Sequence, residues 1–168
     1  MEGKIMVDST RRGLLTGRWG RSSAEISPPW STRDGDFLAH CTRCNACIDA
    51  CETQILQPGA GGYPVLNFTR GECLFCYACA DACPQPLFRP RRTRPWQLLL
   101  TISRECLTRK GVECRSCQEN CEPLAITFPP VISGISPPHL THQHCHGCGA
   151  CIASCPVSAI TLEYTRDS

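Results

Sequence analysis

Sixteen cysteines fall into four packets of four, and this grouping restricts the fold more tightly than anything else in the chain. Cys41, Cys44, Cys47 and Cys51 form the first packet and Cys73, Cys76, Cys79 and Cys83 the second, both spaced C-x2-C-x2-C-x3-C. Cys106, Cys114, Cys117 and Cys121 make a third packet whose first gap widens to seven residues. Cys145, Cys148, Cys151 and Cys155 restore the regular spacing. The interior repeats as well: Cys-Asn-Ala-Cys-Ile-Asp-Ala-Cys at 44–51, Cys-Tyr-Ala-Cys-Ala-Asp-Ala-Cys at 76–83, Cys-Gly-Ala-Cys-Ile-Ala-Ser-Cys at 148–155. Ala46, Ala78 and Ala150 are small where a loop passes close to a bulky group.

Three cysteines separated by two residues each let a tight loop fold over a cubane and reach three iron corners, with backbone N–H groups turned to the sulfurs. The third and fourth cysteines stand four apart, so one helical turn places both on one face. In two-cluster bacterial ferredoxins the fourth cysteine of each run ligates the other cluster. Pro84 and Pro156 lack an N–H and stop that turn, whereas the first packet has Glu52 there and the third Glu122, with Pro123 one position late. All sixteen cysteines are thus the expected ligands of four 4Fe-4S clusters. Disulfide pairing does not require four near-copies of one spacing, and zinc sites usually join two separated C-x2-C knuckles.

Fourteen Pro and 13 Gly leave few runs long enough for regular elements, so a small α+β fold is expected: two ferredoxin-like bicluster units built of short hairpins and short helices. Tyr63–Phe68, Ala125–Phe128 and Ala159–Tyr164 read as strands of small hairpins. The expected organisation is a basic, extended N-terminal arm at 1–36, a unit at 37–90 with packets one and two, a Pro/Arg-rich linker at 91–100 and a unit at 101–168 with packets three and four. A nested pairing, one with four and two with three, fits the spacing too. Ile48, Ile55, Leu66, Phe68, Phe75 and Leu87 are expected to shield one pair of clusters. Leu124, Ile126, Ile152, Ile160 and Leu162 are expected to shield the other.

The formal charge of +2 counts every Cys as neutral. Four clusters on sixteen thiolates bring the loaded protein to roughly −6, which argues against a nucleic-acid partner. No apolar stretch is long enough to span a bilayer. Arg11 and Arg12 superficially resemble a twin-arginine export signal, but no apolar h-region follows, so a cytoplasmic location is expected, where cysteines serve as metal ligands. His139, His142, His144 and His146 read as a solvated loop, and Pro58-Gly-Ala-Gly-Gly62 as a turn lacking the Lys-Ser/Thr of a P-loop. No catalytic triad, flavin signature or nicotinamide signature stands out, so the expectation is no enzyme acting alone and no catalytic residue.

Arg11-Arg12-Gly13-Leu14-Leu15-Thr16-Gly17-Arg18-Trp19, Pro28-Pro29-Trp30, Gly59-Ala60-Gly61-Gly62-Tyr63-Pro64 and the run from Cys148 to Thr161 accompany the packets. Together they resemble the NapF family of ferredoxin-type proteins over nearly the whole chain. The resemblance implies a cytoplasmic accessory of the periplasmic nitrate reductase system that helps mature the molybdenum- and 4Fe-4S-containing catalytic subunit NapA before export. A plain electron carrier between a dehydrogenase and a reductase is the rival reading. From Ser9 to Arg33 the arm holds five arginines against Glu25 alone. Arg11, Arg12, Arg18, Trp19, Arg21 and Trp30 are therefore the expected contacts to a protein partner.

Overall fold

Pro and Gly punctuation keeps every element short in the computed structural model, which describes residues 25–32 and 34–165. Helix α1 (Asp34–His40) leads into Cys41, whose N–H donates to Phe37 O at 3.0 Å. Packet one contains the single turn α2 (Ala46–Asp49). Strands β1 (Leu56–Pro58) and β2 (Pro64–Leu66) form a hairpin over the 3-10 turn Ala60–Gly62. Packet two contains α3 (Ala78–Asp81), and β3 (Leu98–Ile102) follows. Packet three contains α4 (Ser116–Glu119), after which β4 (Ile126–Thr127) pairs with β5 (His139–Leu140). Packet four contains α5 (Ala150–Ala153), and β6 (Ile160–Tyr164) comes last.

Among the described residues all three sheets are two-stranded and antiparallel, yet the one that holds β6 is no hairpin. Strand β6 was expected to turn back locally; instead it pairs with β3, from Leu98 opposite Tyr164 to Ile102 opposite Ile160. Alternation explains the choice. Leu100 and Leu162 face each other and are both buried, while Thr101 and Thr161 meet on the outer face at 2.7 Å. The first unit closes in the same manner with a single bridge, Ser31 to Phe88, flanked by Thr32 N–H to Leu87 O at 2.8 Å and Arg89 N–H to Trp30 O at 2.7 Å.

Two expected boundaries move as a result. The stretch 91–100 is no free linker, because Trp96 is buried and Leu98–Leu100 begin β3. The arm does not extend to 36 as a separate tail: Ile26, Pro28 and Trp30 are buried, and Leu66 N–H donates to Ile26 O at 2.8 Å. Packing also sets the pairing of packets, since α2 lies against α3 and α4 against α5. One continuous core joins the units, drawing Ile55 and Phe68 from the first, Trp96 from the connection and Leu100, Ile126, Ile160 and Leu162 from the second. Leu124 departs from its expected shielding role: it is 61% exposed, on a left-handed backbone (φ 52°) three residues after Cys121.

Candidate metal centre

Each regular packet bends over its site by a pair of left-handed residues on either side of its second cysteine. These are Arg43 and Asn45, Phe75 and Tyr77, and Gly147 and Gly149, with φ from 53° to 87°. Successive N–H groups in such a bend form a concavity that attracts anions. The N–H groups do point at sulfur: Ala46 to Cys44, Phe75 to Cys73, Gly147 to Cys145 and Ala150 to Cys148. Fourth cysteines receive theirs from four residues on, Ala125 N–H to Cys121 Sγ and Ala159 N–H to Cys155 Sγ, each at 3.2 Å. The widened packet is built otherwise. Its insert forms a 3-10 turn, Leu107–Lys110, and hydroxyls approach its first two thiols, with Thr108 Oγ1 3.2 Å from Cys106 Sγ and Ser116 Oγ 3.7 Å from Cys114 Sγ.

Sulfurs gather in fours, and every group crosses packets. Cys51 joins Cys73, Cys76 and Cys79 around one shared cavity. Cys155 joins Cys106, Cys114 and Cys117 around a second, and Cys121 joins Cys145, Cys148 and Cys151 around a third. Cys83 faces Cys47 together with Cys41 and Cys44. The thiols therefore ring a volume: among the described residues no group of three or more His, Cys, Asp or Glu is placed to hold a single metal ion.

Burial pushes the Cys73, Cys79 and Cys151 thiols up to about 12, and Cys47 and Cys117 to about 11, with charge on the facing cysteines adding to the rise. Cys44 moves the other way, lowered by the Ala46 N–H and then by Thr42. Thiols that are partly buried and face one another resist ionisation unless a cation sits among them, and a bound metal core deprotonates its thiols outright. The donor set, gathered in fours across packets, and the inward N–H groups fit a 4Fe-4S core.

Trp30 does not face outward as a partner contact. It is 4% exposed, donates from Nε1 to Thr93 O at 2.8 Å, and packs edge-on against Tyr77 and Phe75 at 5.1 and 6.2 Å. Arg11, Arg12, Arg18, Trp19 and Arg21 lie outside the described residues. His139, His142, His144 and His146 are exposed. Sequence reasoning passed over Gly147 and Gly149. A Cβ on Gly147 would stand 2.6 Å from Trp96 Nε1, and one on Gly149 would overlap the Phe68 ring. Their signal was that only the fourth packet has glycine at both of these positions. No helix among the described residues is long and apolar enough to cross a membrane.

Two family models, each described as a 4Fe-4S dicluster domain, match residues 40–87 and 110–159. Similarity to the ferredoxin-type protein NapF of Escherichia coli strain K12 reaches 62% identity over 95% of this chain and 98% of that protein. The NapF of Haemophilus influenzae is 49% identical over 82% of this chain and 78% of its own. The methylamine utilization ferredoxin-type protein MauM of Methylobacillus flagellatus is 28% identical over 89% of this chain and 72% of its own. With two dicluster domains providing for four 4Fe-4S clusters, the chain belongs to the NapF family of ferredoxin-type iron-sulfur proteins.

Proposed function

We propose that the sixteen cysteines hold the four clusters in crossed sets, and that the chain is a cytoplasmic accessory protein assisting maturation of NapA, the periplasmic nitrate reductase catalytic subunit, before its export. The crossing of every fourth cysteine into its partner packet's site carries the ligand assignment. The first site takes Cys41, Cys44, Cys47 and Cys83; the second Cys51, Cys73, Cys76 and Cys79. The third takes Cys121, Cys145, Cys148 and Cys151; the fourth Cys106, Cys114, Cys117 and Cys155. When bound, each core supplies reversible one-electron chemistry. The chain's part is to stabilise it: N–H groups and hydroxyls bond the sulfurs, and Ile55, Leu56 and Leu66 at the second site, or Ile102, Phe128 and Ile160 at the fourth, exclude water. The role in maturation is supported by the 62% identity to a NapF over almost the full length.

Paired substitutions test the crossing. Cys51→Ala with Cys76→Ala empties one site and lowers iron from about sixteen to about twelve per chain, whereas Cys51→Ala with Cys44→Ala damages two sites and lowers it to about eight. Equal losses would refute the crossed assignment. Anaerobic affinity purification from the native cell tests the partner: the NapA precursor is expected to co-purify, and a dehydrogenase or reductase in its place favours the electron carrier. Exposed Cys44 and Cys76 support that second reading, because they bring a cluster edge to the surface.

A further inference from the structure

A backbone hydrogen bond joins the two dicluster units at their inner sites. Cys73 N–H, in the second site, donates to Cys148 O, in the third, at 2.8 Å. Both residues are proposed cluster ligands, so only backbone, two Cβ atoms and this bond separate one sulfur from the other. Bond lengths limit that Sγ to Sγ separation to no more than about 12 Å.

The surrounding contacts hold this approach rigid. Phe68 presses on Gly149 and meets Trp96 edge-on at 6.1 Å, and Trp96 meets Phe75 at 5.6 Å. Trp96 Nε1 donates to His146 O at 2.9 Å. Glycine at 147 and 149 is what lets the fourth packet come so near, since either side chain would push the rings away. Packets one and two have Arg43 and Asn45, or Phe75 and Tyr77, at the same places.

We propose that this junction is an electronic bridge that joins the two units into one four-site path, in the order first, second, third, fourth. The inference rests on the crossed ligand assignment. One electron crosses the junction: the core on Cys51, Cys73, Cys76 and Cys79 is oxidised by one electron as the core on Cys121, Cys145, Cys148 and Cys151 is reduced by one. No bond forms or breaks and no proton moves. The electron enters from a low-potential one-electron donor at one outer site and leaves to a one-electron acceptor at the other.

Two variants isolate the junction. Replacing Cys44, Cys47, Cys114 and Cys117 by Ala leaves the inner pair; replacing Cys76, Cys79, Cys148 and Cys151 by Ala leaves the outer pair. Each is expected to hold about eight iron per chain. Reduced with dithionite, the inner pair should give an electron paramagnetic resonance spectrum split by mutual spin coupling, and the outer pair two unsplit signals. An unsplit inner pair with about eight iron overturns the bridge. Iron well below that in both, together with equal losses in the paired substitutions above, refutes the ligand assignment instead. Should the fourfold variants fail to load, the full chain decides. Gly149→Ala, which forces Phe68 and the junction apart, is compared with the parent at equal iron content and full reduction. A weakened splitting supports the bridge, and an identical one overturns it.

Discussion

At Gly149 a left-handed backbone and an aromatic ring in contact meet in one residue, and no side chain satisfies both. Gly149→Ala is therefore expected to cost about 2–4 kcal/mol, combining backbone strain with overpacking, read as faster cluster bleaching under chelator. Asn45 has the same backbone without the ring, so Asn45→Gly should change stability by less than about 1 kcal/mol. The repeat made the cysteines legible as ligands, because spacing and chemistry both act locally. It did not reveal which left-handed position another unit presses upon, since that is a matter of tertiary contact. Trp30 is the sharper case. Its arginine-rich neighbours suggested an outward anchor, yet Ile26, Pro28, Pro29 and Trp30 are all buried, and the turn at Pro29 and Trp30 carries the ring inward. Trp30→Ala should cost about 3–5 kcal/mol and loosen the second site, whose wall it forms; iron retention under chelator measures it.

Elements this short have little stability of their own, and their order in space is decided by what closes each unit. The second unit closes with five residue pairs between β3 and β6, the first with the one bridge at Ser31 and Phe88. Leu100→Ala, in the centre of the longer ladder, is expected to cost about 2–5 kcal/mol and to release iron from the third and fourth sites before the first and second. Simultaneous loss from all four would mean that the shared core, rather than the ladder, sets the cooperativity. Strand positions near Tyr63, Ala125 and Ala159 were readable from alternation. The partner of β6 was not, because a ladder joining distant strands leaves no turn signal between them.

Over the whole molecule, metal and fold are coupled, and chelation is expected to abolish most secondary structure by circular dichroism. Burial of Ile26–Trp30 also divides the N-terminal region into two parts with different roles. Deleting residues 1–24 should leave iron content and spectra unchanged while weakening capture of the NapA precursor in a salt-sensitive way; deleting 1–30 should lower iron as well. Equal capture after the shorter deletion would move the docking role to the cluster-bearing body. The crossed fourth cysteine has a further consequence, in the timing of synthesis. Cys83 is made 36 residues after Cys47, and Cys155 is made 38 residues after Cys117. At ordinary elongation rates each interval lasts roughly 2–8 s. During it three thiols of a site are complete and the fourth does not yet exist. The second and third sites are complete as soon as Cys79 and Cys151 are made, but the first and fourth cannot be finished on their own packets as these emerge, and the newborn chain carries two open triads of thiols that any passing metal or oxidant meets first.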